Sequence, residues 1–187
     1  KAGVGLVLKI GGCESVRDML EARVVGVDSL VAPMVETAYS LRKYLQAVKK
    51  VFPAEELKSI EIITNIETKT ACKNLEDMMA IPEIDTLQGI DIERVDLSFS
   101  LGKDEKSIND DVVNENVAQA IKTAKKKNLL CSIGGGVSAH SIPFFKSLPV
   151  GTLDRYETRK VCFNAAKALK NDPEKGILKA LGLELLW

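Results

Sequence analysis

Apolar and polar positions along this chain switch repeatedly between two periods. Gly5 to Ile10 has the short apolar pattern of a strand, and Val16, Met19, Leu20 and Val24 then recur at helical spacing. Val27 to Ala32 predicts the next strand, stopped by Pro33. A helix follows, with Thr37 placed to cap it and Leu41, Tyr44, Leu45 and Val48 on one face. The isoleucine-rich stretch Ser59 to Ile66 predicts a buried strand. Leu75, Met78 and Met79 mark a short helix ending near Pro82, and Ile84 to Asp96 holds the next strand, with a break expected around Gly89. Val113, Val117, Ile121 and Ala124 define a helix running into Lys125-Lys126-Lys127, where cations suit the helix C-terminus. Leu129 to Ile133 predicts a strand, Gly134-Gly135-Gly136 a tight loop, and Ser138 to Lys146 a short helix. A last strand is expected around Thr152 to Glu157, followed by two helices split at Asp172-Pro173.

This alternation predicts a parallel sheet with helices outside it, in one domain spanning residues 1–187. Open doubly wound sheets and closed barrels share the pattern. Here Lys9, Glu36, Glu67, Asp96, the glycine triplet and Glu157-Thr158-Arg159 all fall at or just after strand C-termini, the face where (β/α)8 barrels gather their chemistry. The expected fold is therefore an α/β (β/α)8 TIM barrel, incomplete in this chain. About six strand–helix units are legible where a full barrel has eight. Because the sequence begins at Lys1 without methionine, an N-terminal part is expected to precede it.

Composition narrows the function classes. The chain has 187 residues, 45% hydrophobic and 28% charged, with a formal net charge of zero. No basic excess points to nucleic acid or an anionic membrane, and no apolar run reaches the roughly 18 residues needed to cross a bilayer. Cys13, Cys72, Cys131 and Cys162 are widely spaced and form no Cys-x-x-Cys pair, which with a single histidine argues against zinc and for free thiols in a reducing compartment. Cytoplasm is the default.

The chemistry concentrates in Asn65-Ile66-Glu67-Thr68 and Arg94-Val95-Asp96-Leu97-Ser98. Each carboxylate ends an apolar run. If those runs are neighbouring parallel strands, Glu67 and Asp96 emerge at one rim roughly 5 Å apart. Such a pair can seat a hard divalent cation with positions left for substrate, or serve merely as solvated strand-end acids or helix caps. Ser98 and Ser100 are placed either to orient ligands or to cap turns. Gly134 and Gly135 open a loop that suits an anion at a helix N-terminus or only a tight connection. Arg159 is either an anion clamp or the partner of Glu157 or Asp154. Lys9 stands ready for an oxyanion, for a Schiff base, or to neutralise Glu36 or Glu67.

Leu8-Lys9, Val31-Ala32-Pro33-Met34-Val35-Glu36-Thr37, Asn65-Ile66-Glu67-Thr68 and Val95-Asp96-Leu97-Ser98 through Leu101-Gly102 together resemble the metal-dependent 2-oxo-acid aldolase and citrate lyase beta-subunit superfamily. The resemblance implies Mg2+ or Mn2+ held by Glu67 and Asp96. It also implies a carbon–carbon lyase acting beside the oxo group of a pyruvate-like acid through a metal-stabilised enolate. Lys9 takes the place of an arginine that contacts the oxo-acid oxygen, keeping charge but losing the bidentate fork. Glu93 replaces a glycine that helps bind the substrate carboxylate, and Arg94 could compensate by binding that carboxylate itself. The glycine loop or Arg159 would take the far anionic end. His140 is not the counterpart of the family's acid–base histidine. An acyl-CoA lyase of the citryl- or malyl-CoA type, and a non-catalytic anion-binding or regulatory relative, are the alternatives. Relatives assemble as trimers or hexamers, so a homo-oligomer is expected, with residues 173–187 a candidate for exchange between subunits.

Overall fold

The computed structural model describes residues 3–186. Its strands are β1 (Val7–Lys9), β2 (Ser29–Ala32), β3 (Glu61–Ile66), β4 (Gly89–Glu93), β5 (Leu130–Gly134), β6 (Arg155–Glu157) and β7 (Cys162–Asn164). They form one sheet in the order β1-β2-β3-β4-β5-β6-β7. Every pairing is parallel except β6–β7, an antiparallel hairpin. This seventh strand was not expected from the sequence, where Cys162–Asn164 is too short to show a period.

The order decides between the two candidate architectures. A doubly wound sheet reverses its strand order at a switch point, sending helices to both faces. Strands β1 to β6 run in sequence with no reversal. Right-handed crossovers then place the helices on one side and leave the other side concave. The molecule is an incomplete (β/α) barrel, a curled half-barrel sheet.

Between the strands lie α1 (Val16–Val25), α2 (Ala38–Val51), α3 (Lys69–Met79), α4 (Arg94–Ser100), α5 (Asp111–Lys125) and α6 (Ile142–Ser147). Past the hairpin come α7 (Ala165–Ala168) and α8 (Pro173–Glu184). Thr37 caps α2 in a reciprocal box with Ser40. The face expected on α2, Leu41, Tyr44, Leu45 and Val48, is fully buried, as are Val113, Val117, Ile121 and Ala124 of α5. Opposite them the sheet offers Leu30, Ala32, Ile62, Ile66, Ile90, Ile92, Cys131, Ile133 and Tyr156, all buried. At roughly 1.5–3 kcal/mol per large apolar side chain buried, this helix–sheet layer supplies most of the folding energy.

Alternation puts the other half of each strand on the concave face. That face is polar: Lys9, Ser29, Glu61, Asn65, Asp91, Glu93, Ser132, Arg155 and Glu157, with Val31 and Ile63 among them. Arg155 of β6 donates to both Glu61 oxygens of β3 at 2.6 Å, and Ser29 of β2 donates to the same carboxylate at 2.5 Å. Three strand spacings in a flat sheet would hold β3 and β6 about 14 Å apart. The direct bridge therefore requires the sheet to curl.

Two sequence expectations are corrected. Ile84 to Asp96 is not one strand. Pro82–Thr86 forms a 3-10 turn, β4 ends at Glu93, and the Glu93 carboxylate accepts from the Asp96 amide and starts α4. Asp96 thus sits on the first turn of a helix. The apolar face expected on α1 is also rotated: Met19 and Ala22 are buried, whereas Val16, Leu20 and Val24 are exposed. α1 flanks β1 at the open edge of the sheet, so only its inner side meets a neighbour.

Candidate functional site

A cleft of about 870 Å³ runs along the concave face and opens at the strand C-termini. Glu67 follows β3 directly and is 1% exposed. One of its oxygens accepts from the Met34 amide at 2.6 Å, the other from the Asn65 side-chain amide at 2.9 Å. Met34 lies in the loop after β2 with a left-handed φ of 53°, an unfavourable conformation for a side-chain-bearing residue. That strain aims its N–H at Glu67. Beside it, Glu36 accepts from the Thr68 hydroxyl at 2.6 Å, and Thr68 caps α3. The β2 and β3 exits are thereby locked together.

Glu67 and Asp96, the two acids singled out from the sequence, bring carboxylate oxygens close together, and Asp96 lines the cleft. Glu93 joins them: one carboxylate oxygen from each of Glu67, Glu93 and Asp96 lies within 4.8 Å of the others. Burial raises the Glu93 carboxyl above its ordinary range, the Asp96 amide pulls it back, and the charges of Asp96 and Glu67 push it up again. Three clustered carboxylates are a hard, oxygen-only donor set, suited to magnesium, manganese or calcium rather than zinc. Neighbouring oxygens about 2.1 Å from an octahedral magnesium ion are about 3.0 Å apart, so closing on such an ion takes side-chain shifts on the order of 1 Å. The residues fit a divalent cation.

Below Glu93 the floor of the cleft holds Asp91, 5% exposed. Burial, and secondly the charge of Glu157, hold its carboxyl well above the usual range. Burial raises Glu157 as well, against the opposing charge of Lys9. Lys9 lines the cleft from the end of β1, close enough for its charge to act on both Glu93 and Glu157. Arg159 lines it from the exposed turn of the β6–β7 hairpin.

Other expected site residues lie elsewhere. Arg94 turns away from the cleft and is fully buried. Its guanidinium donates to the Gly134 and Gly135 carbonyls, to Asn109 and to Ser141, and packs over the Phe145 ring. Burial lowers it to about 10, the Glu93 charge opposing. The donors expected to grip a substrate carboxylate are spent on the protein. Ser98 is fully buried on α4, and Ser100 ties the α3 amide of Lys69 to α4. The glycine loop has a packing reason. Gly135 has a φ of 75°, and a Cβ there would lie 2.5 Å from the Arg94 nitrogen and 2.7 Å from that of Val95. Gly134 and Gly135 are pinned from behind by Arg94, and Gly135 and Gly136 line the cleft.

Asn65, Asp91 and Met34 were not read as site residues, and Glu93 was read only as replacing a glycine beside the substrate carboxylate, not as a cation donor. A signal for three of them existed: Asn65-x-Glu67 and Asp91-x-Glu93 alternate with period two, so each pair must share a strand face. Nothing in the sequence marked Met34, whose role depends on a backbone angle.

With the geometry in place, comparison with known proteins is decisive for ancestry. Residues 7–138 match the model of the HpcH/HpaI aldolase/citrate lyase family. The chain belongs to that family. Lyase chemistry is the family's general kind, and a divalent metal is its usual cofactor. An HpcH/HpaI aldolase from Desulfitobacterium hafniense DCB-2 superposes with a TM-score of 0.66 at 16% identity, covering 96% of this chain and 73% of that one. A HpcH/HpaI aldolase/citrate lyase family protein from Burkholderia cenocepacia J2315 gives 0.62 at 14% identity, covering 93% and 72%. The citrate synthase SbnG gives 0.64 at 14%, covering 96% and 71%. At such identities the likeness concerns the fold. No curated protein matches the sequence. No helix among the described residues is long and apolar enough to cross a membrane.

Proposed function

We propose that this member of the HpcH/HpaI aldolase/citrate lyase family is a metal-dependent aldolase that makes or breaks a carbon–carbon bond beside the oxo group of a pyruvate-like 2-oxo acid. The observation that carries the reading is the convergence of Glu67, Glu93 and Asp96 at the strand rim of an open cleft. Magnesium or manganese bound there would supply Lewis acidity toward the 2-oxo carbonyl. The chain's own groups do the rest. Asn65 and the Met34 amide fix Glu67, so one donor is held in orientation before a cation arrives. Lys9 places positive charge at the cleft edge to offset the oxyanion that develops as the bond breaks. Arg159, exposed on the hairpin turn, can meet an outer anionic end.

Five carboxylates facing the cleft make a poor bed for a polyanionic nucleotide, which disfavours the acyl-CoA alternative. Leu178, Leu183, Leu185 and Leu186 stay exposed around α8, which supports a homo-oligomer built through that helix.

The test is deuterium exchange into the methyl group of pyruvate. Exchange that requires manganese and is lost in Glu67→Ala supports the aldolase. Absence of exchange while manganese is demonstrably bound overturns it in favour of a binding protein.

A further inference from the structure

One layer below the three rim carboxylates, the concave face carries a row of buried polar side chains whose hydrogen-bonding capacity is only partly met inside the protein. Asn65 on β3 pairs in register with Asp91 on β4, and Asp91 with Ser132 on β5. All three are more than nine-tenths buried. The Asn65 Oδ1 atom accepts no hydrogen bond from the protein, and Asp91 Oδ1 has no well-directed donor, the Ser132 hydroxyl lying beside the Asp91 carboxylate. Buried acceptors left that way are uncommon, and two on adjacent strands in one row call for a physical reason.

The fourth member closes the row. A point one Cβ bond above Gly134 lies 3.5 Å from a Glu157 carboxylate oxygen and 3.6 Å from Asp91 Oδ2, so the two acids converge over that glycine. Among the described residues neither forms an ion pair, and Arg155 is committed to Glu61. Lys9 acts on Glu157 from the far edge of the sheet. Asn65, Asp91 and Glu157 all line the cleft.

We propose that Asn65, Asp91, Ser132 and Glu157 form a binding site for a primary ammonium group. A neutral hydroxyl could meet the orphaned oxygens but brings no positive charge to the two converging acids. An ammonium group answers both demands: three N–H donors directed at Asn65, Asp91 and Glu157, and one positive charge between two carboxylates. Two strand residues separate this row from the metal acids, a rise of roughly 7 Å. A short substrate could therefore reach the rim with its oxo-acid end and the floor with its amine. The inference narrows the substrate of the aldolase to amine-bearing compounds and rests on that reading only for the word substrate; the ammonium site itself does not need it.

The experiment is saturation-transfer NMR on the metal-free full chain, with n-butylammonium chloride against 1-butanol. The ammonium should bind and the alcohol should not. Asp91→Asn and Glu157→Gln, both near-isosteric, should each weaken ammonium binding by at least about tenfold. Asp96→Asn, at the rim acid whose side chain has no hydrogen bond to the row, should leave it intact. Equal binding of amine and alcohol, binding of neither, or indifference to both substitutions overturns the site and leaves the row to ordered water. Loss of binding in Asp96→Asn overturns it by moving the amine to the rim. Should Asp91→Asn fail to fold, Glu157→Gln on the exposed hairpin decides. Failed pyruvate exchange with amine binding intact sinks the aldolase and spares the site; the reverse result sinks the site alone.

Discussion

Arg94 shows how one residue's environment overrides its type. An arginine beside a metal-binding acid invites the role of substrate clamp, yet here it is a structural strut for the Gly134–Gly135 carbonyls. Arg94→Ala would strand those carbonyls, Asn109 and Ser141, and would open a cavity beside Phe145. The expected cost is on the order of 3–5 kcal/mol, read by chemical denaturation. A substrate clamp on an exposed wall would instead lose affinity with stability within about 0.5 kcal/mol. The same logic separates Gly135 from a generic anion loop: its close backbone approach leaves no room for a side chain.

At the scale of elements, the curl depends on ties across the concave face. Glu61 is held below its ordinary range chiefly by the Arg155 hydrogen bonds, with burial opposing and Ser29 assisting. A carboxylate lowered in the folded state binds fewer protons there than when unfolded. Its contribution is therefore complete above the unfolded value near 4.3 and lost as pH falls through the lowered folded value. Glu61→Gln should lower stability at pH 7 by about 1–3 kcal/mol and flatten the acid limb of the stability curve, measured by urea denaturation between pH 7 and pH 2. An unchanged acid limb would remove the bridge from the account of the curl.

For the whole molecule, the helix-facing layer carries the stability and the concave face carries an excess of negative charge. Binding a divalent cation should thus stabilise the fold. Manganese at about 100 times its Kd contributes about 2.7 kcal/mol, a Tm rise on the order of 5–10 °C for a chain of this size. In Glu67→Gln the rise should shrink to near zero at the same manganese concentration. A full rise in that variant would place the ion elsewhere.

Much of this was legible before any coordinates. The 3.6- and 2-residue periods are local, so α2, α3, α5 and the cores of β2 to β5 followed from side-chain spacing alone, and polar residues at strand exits marked the rim. Glu67 and Asp96 were singled out that way, although Asp96 stands on a helix and not at a strand end. The remainder depends on distance rather than adjacency. Glu93 joins the acid cluster because its strand stops to cap a helix. Arg94 is withdrawn by carbonyls 40 and 41 residues away. Asp91 and Glu157, on strands two apart, meet only because the sheet curls. Composition and period determine which residues lie on one face of one strand. Which faces confront each other across the barrel is set by curvature, a property of the assembled sheet that no local stretch of chain encodes.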